Sequence, residues 1–119
     1  MAFTDYLEKI FNGVGGALAC GVVGFDGLAV ATFPDRSAKV DLESINAELS
    51  TGFRDIFGSF SRAGLGPPEE LMIRSRSSVI LVHTLNEDYC LMLALEPGAG
   101  IGKARYLLRV FGPLLESEL

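Results

Sequence analysis

GALACGVVGFDGLAVA, residues 16–31, carries the strongest signal for the fold. Residues 17–25 place apolar side chains on both faces of an extended chain, a pattern typical of a strand buried within a sheet. Asp26-Gly27 follows as a two-residue hairpin signal, because both central positions of the favoured tight turn take positive φ. Residues 28–33 are the expected return strand. The segment therefore predicts a hairpin whose first strand is central in its sheet.

A short helix is predicted before the hairpin. Apolar residues between Phe3 and Val14 recur at helical spacing, and Gly13, Gly15 and Gly16 then end the helix. A glycine-rich phosphate loop runs from a strand into a helix, so that helix amides face the anion. Because these glycines follow a helix instead, we interpret them as a helix stop.

A longer helix is predicted from Leu42 to about Ala63. Pro34 ends the return strand, residues 35–39 form a polar loop, and Asp41 can cap the helix through its carboxylate. One apolar stripe along this helix is expected to be buried, and it consists of Leu42, Ile45, Leu49, Phe53, Ile56 and Phe60.

Three strands and a helix complete the predicted order. The strands are expected at Glu70–Arg76, Ser78–Leu85 and Tyr89–Leu95, and the helix at Ile101–Phe111, with Pro113 kinking or ending it. The connections within each strand group are short. The order α-β-β-α-β-β-β-α therefore predicts an α+β fold with one five-stranded, mostly antiparallel sheet and helices on both faces. We expect residues 1–119 to form a single domain.

Composition and charge restrict the possible partners and the compartment. The chain has 119 residues, 49% of them hydrophobic, and a net charge of -5. This charge opposes a phosphate backbone, so no nucleic acid is expected as a partner. Charged residues interrupt every apolar run before it could span a bilayer, so no membrane insertion is expected. Cys20 and Cys90 lie in apolar runs and are expected to be buried thiols of a reducing, cytoplasmic compartment.

The sequence offers weak candidates for cofactor binding or catalysis. The segment from Gly98 to Lys103 follows a strand and opens a helix, but its glycine spacing fits neither the Walker nor the dinucleotide pattern. His83 lies within an apolar strand, where a half-buried structural histidine is the simpler interpretation. The acidic pairs Glu69-Glu70 and Glu87-Asp88 lie beside turns and are expected to be solvated. We therefore predict no catalytic residue, no metal site and no cofactor, and a protein that is not an enzyme.

Small residues on the long helix indicate a contact surface. Ala47, Thr51 and Gly58 share one face, with Ser50 and Ser61 beside them, and a second helix could approach closely there. Gly52 and Gly58 each cost about 1 kcal/mol relative to alanine inside a helix, which indicates a packing or partner reason for keeping them.

Two arginines on the long helix leave two interpretations open. Arg54 and Arg62 are ordinary surface charges on the simpler interpretation. On the alternative interpretation, one of these two arginines reaches a phosphate on a bound partner as an arginine finger.

The hairpin segment, residues 16–31, resembles the first strand pair of the Roadblock/dynein light-chain family. Residues 89–105, YCLMLALEPGAGIGKAR, resemble that family's last strand and the glycine-containing entry to its final helix. The resemblance implies a Roadblock-like, profilin-like fold. It also implies homodimers or heterodimers that pair their long helices and join their sheets through the third strand. On that basis the expected dimer contacts are Ala47, Thr51, Arg54, Gly58, Met72 and Arg74.

The resemblance extends to function. Prokaryotic, MglB-like members of the family act with Ras-like small GTPases in motility and cell polarity. They are implied to shift the switch loops of the GTPase toward hydrolysis without supplying an arginine finger. On that basis the expected GTPase contacts are Ser50, Arg54, Ser61 and Arg62. Two alternatives stay open: a structural adaptor like the dynein light chains, and a small-molecule sensor, which needs a cavity of about 300 Å³ or more.

Overall fold

A computed structural model describes residues 3–35 and 39–119 of the chain. Residues 36–38, in the polar loop expected at residues 35–39, lie outside the described part. The predicted element order is confirmed, and the elements are α1 (Phe3–Gly13), β1 (Ala17–Gly24), β2 (Ala29–Phe33), α2 (Leu42–Arg62), β3 (Glu70–Arg74), β4 (Val79–Thr84), β5 (Tyr89–Leu95) and α3 (Ile101–Glu116).

The five strands form one sheet in the order β2-β1-β5-β4-β3. Every neighbouring pair is antiparallel. β1 pairs with β2 on one side and with β5 on the other, so its predicted central position is confirmed. β2 and β3 are the two edges of the sheet.

Helices cover both faces of the sheet, as predicted. α1 and α3 pack together on one face, and α2 packs on the other, mainly over β1 and β2. Each face has its own buried cluster. Leu7, Leu81 and Leu108 belong to the cluster under α1 and α3, whereas Phe53 and Met92 belong to the one under α2.

The connection between β1 and β2 is longer than the predicted two-residue turn. Four residues, 25–28, lie between the two strands. The Gly24 amide donates to the Leu28 carbonyl (2.7 Å). Gly27 has a φ of +95°, but Asp26 does not take positive φ. The Asp26 carboxylate accepts a hydrogen bond from the Leu28 amide (3.0 Å). This Asx-type contact closes the turn with Asp26 in an ordinary conformation, which the two-residue pattern does not allow for.

The predicted buried stripe of α2 is wrong at two positions. Ile56 and Phe60 are 38% and 37% exposed. The residues that face the sheet instead include Asn46 and Ser50, beside Leu42 and Phe53. Two contacts orient the helix in this way. The Asn46 side chain donates to the carbonyl of Gly24 (3.0 Å), and Ser50 lies against the side-chain-free backbone of Gly27.

Two other boundaries differ from the predictions. β3 ends at Arg74 rather than Arg76, because the Ser75 amide donates to the Ser78 carbonyl (2.9 Å) and closes a turn. α3 continues through Pro113 to Glu116. Leu115 is fully buried, and this packing offsets the hydrogen bond that a proline cannot donate.

The predicted cap of α2 is confirmed. The Asp41 carboxylate accepts hydrogen bonds from the amide and the hydroxyl of Ser44 (3.3 and 2.8 Å). These bonds, led by the one from the hydroxyl, lower the pKa of Asp41. The cap therefore fixes the first turn of α2 through the charged form of the carboxylate.

The two cysteines are buried and free, as predicted. β1 and β5 are neighbours, but Cys20 is in register with Leu93 and Cys90 with Val23. The two thiols therefore lie on opposite faces of the sheet, since positions three residues apart alternate in direction. Burial raises the pKa of each thiol to about 12.

Within the described residues, no helix is both long enough and apolar enough to cross a membrane.

Candidate protein-interaction surface

β3 is an edge strand with one side free of strand partners in the described chain. It pairs with β4 from Glu70 to Arg74, and no strand follows it in the sheet. An edge of this kind presents backbone N–H and C=O groups to which another chain can pair. Its side chains alternate between the two faces of the sheet. Leu71 packs into the cluster under α2, so Ile73, two residues on, faces the same way.

Exposed apolar side chains accompany this edge on the α2 side of the sheet. Ile73 is 41% exposed, and Ile56 and Phe60 on α2 are exposed to a similar degree. We call these three residues the α2–β3 surface. Because α2 packs mainly over β1 and β2, the β3 end of this face carries no equivalent helix cover. Apolar side chains beside an open strand edge are typical of a protein-protein contact.

The small residues expected on α2 do share one side of the helix. Ala47, Thr51, Arg54 and Gly58 follow at spacings of four, three and four residues. All four remain accessible. This side differs from the one that carries Ile56, since the two positions at 47 and 56 are nine residues, or about 180°, apart on the helix. The structure therefore offers two distinct sides of α2 for a partner.

Both arginines of α2 are held by contacts within their own chain. The Arg54 guanidinium donates to the carbonyl of Phe25 and to the hydroxyl of Thr51, the latter at 3.2 Å. Arg62 donates to the hydroxyl of Ser59 (3.2 Å). These contacts direct the Arg54 guanidinium toward the connection between β1 and β2, and the Arg62 guanidinium back along the helix.

The other expected contact residues are dispersed. Ser50 is only 3% exposed and faces the hairpin, whereas Ser61 is exposed. Met72 and Arg74 are exposed, but the alternation of β3 directs them to the α3 face of the sheet. There Glu70, on the same side, forms a bidentate ion pair with Arg105 of α3 (2.7 and 2.8 Å). The predicted contact residues stay predictions, and the exposed apolar side chains Ile56, Phe60 and Ile73 were not among them.

A shallow groove lies where the two hairpin ends meet. It has a volume of about 500 Å³ and is lined by Phe25, Asp26, Arg54, Phe57, Glu87, Asp88 and Tyr89. The volume exceeds the roughly 300 Å³ of a small-molecule site, so the sensor alternative stays open.

The glycine segment before α3 has a structural contact. Gly100 caps α3 without a side-chain bond, and Ala99 packs closely against Gly16. A Cβ on Gly16 would lie 2.9 Å from the Cβ of Ala99, and the φ of Gly16 is +89°. The Glu96 amide donates to the Gly16 carbonyl (2.8 Å). These contacts explain Gly16 through the close approach of two connections, whereas a Cβ on Gly98 or Gly102 would meet nothing within 4 Å.

His83 is half-buried on β4, as predicted. Its ring lies against Gly112 of α3, where a Cβ would be 2.8 Å from the ring nitrogen Nε2. Burial lowers the pKa of His83, while Glu70, Glu69 and Glu116 partly oppose that shift. Among residues 3–35 and 39–119, no group of three or more His, Cys, Asp or Glu side chains is placed to hold a metal ion.

Solved structures identify the family. No protein-family model and no curated protein matches the chain. A Roadblock/LC7 domain from Streptomyces avermitilis shares the fold, with a TM-score of 0.75, 15% identity and 97% and 98% coverage of this chain and that one. MglC from Myxococcus xanthus is 38% identical over 100% of both chains, with a TM-score of 0.74. The chain belongs to the Roadblock family. MglB from Thermus thermophilus has the same fold, with a TM-score of 0.82, 15% identity and 95% and 84% coverage.

Family membership defines the broad role of this Roadblock chain. The 38% identity to MglC supports a regulatory or adaptor role in this family. Its similarity to MglB shows a shared fold and nothing more, because the sequence identity is 15%.

Proposed function

We propose that this chain self-associates through the α2–β3 surface and, as a pair, binds and regulates a Ras-like small GTPase in the cytoplasm. The observation that carries the proposal is the open edge of β3, which bears the exposed Ile73 on the face of the sheet where α2 exposes Ile56 and Phe60. Burial of such a surface is favourable at about 25 cal/mol per Å² of apolar area.

A twofold contact satisfies this surface. Two copies related by a twofold axis present the same patch to each other, so one strand edge meets an identical edge. Pairing β3 with the β3 of a second copy gives the backbone groups of Glu70–Arg74 hydrogen-bond partners. The same axis brings Ile56 and Phe60 toward their counterparts. The alternative contact site is the small-residue side of α2, which carries Ala47, Thr51, Arg54 and Gly58. Mutations on each side of the helix distinguish this site from the α2–β3 surface.

A role in promoting GTP hydrolysis rests on the switch loops of the GTPase rather than on an inserted arginine. Arg54 and Arg62 are engaged within their own chain, which supports a regulator that supplies no arginine finger. The regulator would then bind the arrangement of the switch loops that is competent for hydrolysis. Exposed Ser61 lies near Arg62 on the same helix and is a proposed GTPase contact.

A structural adaptor is the second candidate. The chain is 38% identical to MglC and 15% identical to MglB, so the GTPase role implied by the MglB-like resemblance rests on the more distant sequence likeness. An adaptor would bind its partner equally well without changing the rate of hydrolysis.

The test measures binding and hydrolysis separately. Ras-like GTPases from the source organism are loaded with GDP or with a non-hydrolysable GTP analogue and titrated with the chain in a calorimeter. Single-turnover hydrolysis is then followed with and without the chain. The proposal expects tighter binding to the GTP-like form and faster hydrolysis. Binding without acceleration supports the adaptor, and no binding to any of these GTPases overturns the proposed function.

A further inference from the structure

The free edge of β3 presents the backbone groups of alternate residues. At one end of the strand the Glu69 carbonyl accepts a hydrogen bond from the Thr84 amide (3.0 Å). At the other end the Ser75 amide donates to the Ser78 carbonyl (2.9 Å). Because the direction of these groups alternates along a strand, those of the odd-numbered residues point toward β4. The N–H and C=O groups that face the free edge belong to Glu70, Met72 and Arg74.

We propose that Met72 lies on the twofold axis of the paired chains, so that Glu70 of one copy lies opposite Arg74 of the other. This register rests on the self-association proposed above and specifies it. In an antiparallel pair, a bonded pair forms only where the groups of two opposite residues face each other. An axis at Met72 pairs this residue with its counterpart and pairs Glu70 with Arg74 at both ends. Every edge-facing group of the strand then has a partner.

The neighbouring registers are less favourable. An axis between two residues would set edge-facing groups against groups that point to β4. An axis one residue before Met72 places Arg74 opposite Pro68, which has no N–H to donate. An axis one residue later places Glu70 opposite Arg76, which lies beyond the end of the strand. An axis two residues away in either direction places like charges opposite each other, Glu70 against Glu70 or Arg74 against Arg74.

The side chains of Glu70 and Arg74 are free to meet in this register. Both lie on the α3 face of the sheet, and side chains directly opposite each other in a bonded pair are close enough to interact. Glu70 keeps 30% of its side chain exposed beside Arg105, and a carboxylate accepts more than two hydrogen bonds. Arg74 is exposed and forms no ion pair within residues 3–35 and 39–119.

The charges around Glu70 call for one more cation. Its pKa is lowered by the hydrogen bonds from Arg105 and by the charge of Arg109. His83 lies opposite Glu70 on β4, and burial lowers its pKa, which favours the neutral ring. The carboxylates that oppose this shift are those of Glu70, Glu69 and Glu116. The cluster thus holds three carboxylates and two guanidinium groups, and Arg74 of the second copy balances it.

Apolar side chains also match in this register. Met72 is 49% exposed and meets its counterpart on the α3 face of the joined sheet. On the α2 face, Ile73 lies opposite Leu71 of the other copy in a non-bonded pair, where side chains approach more closely. The axis at Met72 therefore covers Ile73 of the α2–β3 surface.

Cysteine cross-linking reads the register directly. Met72→Cys places two thiols on the axis with their Cα atoms about 5.5 Å apart, so the full chain should cross-link to itself with oxidised glutathione. Moving the axis by one residue would shift these atoms apart by about 7 Å along the strands, beyond the reach of a disulfide. Leu71→Cys and Ile73→Cys should cross-link when mixed but not alone. Asn12→Cys, exposed on α1, is the control and should stay monomeric on a non-reducing gel. The two native cysteines are buried and do not compete.

A pair of charge reversals tests the role of Arg74. Arg74→Glu places two carboxylates opposite each other at both ends and should weaken the dimer at least about tenfold in sedimentation equilibrium. Arg76→Glu makes the same change in the exposed turn and should weaken it less than about threefold. Thermal unfolding of each variant checks the fold, and Arg74→Ala replaces Arg74→Glu if that variant does not fold.

The outcomes separate the register from the self-association. In a dimeric parent, equal effects of Arg74→Glu and Arg76→Glu overturn the register and leave the self-association standing. The same holds if Met72→Cys does not cross-link, or if mixing Leu71→Cys with Ile73→Cys gives no more product than each alone. A parent that is monomeric up to about 500 µM overturns both proposals.

Discussion

Truncating Phe53 and truncating Phe60 should have very different effects on the stability of the monomer. The two residues are seven apart on α2, and a simple helical pattern places both in the core. Phe53 is 2% exposed and belongs to the buried cluster under α2, whereas Phe60 is 37% exposed. Since the two side chains lie on nearly the same side of the helix, the contrast tests whether the C-terminal part of α2 is left uncovered, on which the α2–β3 surface depends.

The magnitudes follow from these exposures. Phe53→Ala removes a fully buried ring and leaves a cavity, so it should lower the free energy of unfolding by about 3 to 5 kcal/mol. Phe60→Ala removes a ring that is largely outside the core and should cost about 1 kcal/mol. With a urea m-value of about 2 kcal/mol per molar, the two unfolding midpoints should differ by about 1 to 2 M.

The assay is equilibrium unfolding in urea, followed by circular dichroism at about 2 µM and repeated at a tenfold dilution, so that self-association does not contribute. Phe53→Leu is the matched control, because it keeps most of the buried volume and should cost less than Phe53→Ala. Losses for Phe53→Ala and Phe60→Ala that agree within about 1 kcal/mol would refute the exposure of Phe60 at the C-terminal part of α2.

Two further predictions test other parts of the fold. Gly27→Ala should lower the free energy of unfolding by about 1 to 2 kcal/mol, because the φ of +95° is unfavourable for a residue with a Cβ. Gly52→Ala, whose Cβ would meet nothing within 4 Å, should raise it by about 1 kcal/mol; urea unfolding that ranks these variants in the opposite order would contradict both assignments. The stability should also fall as the pH drops below about 6.5, because burial lowers the pKa of His83 in the folded chain and the unfolded chain then binds the proton more readily. His83→Gln should reduce this fall, and a pH profile identical to that of the parent would show that His83 does not contribute.

The hairpin, the order of the elements along the chain and the interior position of β1 were accessible from local sequence. An apolar run on both faces, as at residues 17–25, forms a central strand in whatever sheet it joins, and Asp26-Gly27 marks its end. The details of the turn were not accessible. They depend on a hydrogen bond that the Asp26 carboxylate accepts from the Leu28 amide, and the two-residue pattern does not contain this contact.

The rotation of α2 could not be read from spacing. Asn46 and Ser50 face the sheet because Asn46 bonds to Gly24 and Ser50 lies against Gly27, and both contacts join residues far apart in sequence. In the same way, α3 passes through Pro113 because Leu115 packs in the core. Local propensity gives way to tertiary packing at these positions.

The candidate surface was predictable in its location but not in its residues. The long helix and third strand were identified through the resemblance, and the small residues of α2 through their spacing. Ile56, Phe60 and Ile73 were missed because an apolar residue looks the same in sequence whether it is buried by its own chain or by a partner. Only their exposure in the folded chain distinguishes them.

The central claim is self-association through the α2–β3 surface, and sedimentation equilibrium tests it most directly. The chain should have about twice its monomer mass of 12.7 kDa. Adding Ile56→Glu should return it to the monomer mass, whereas adding Gly58→Trp, on the small-residue side of α2, should leave the dimer intact. A chain that is monomeric without either addition, or a dimer that survives Ile56→Glu but not Gly58→Trp, would contradict the account.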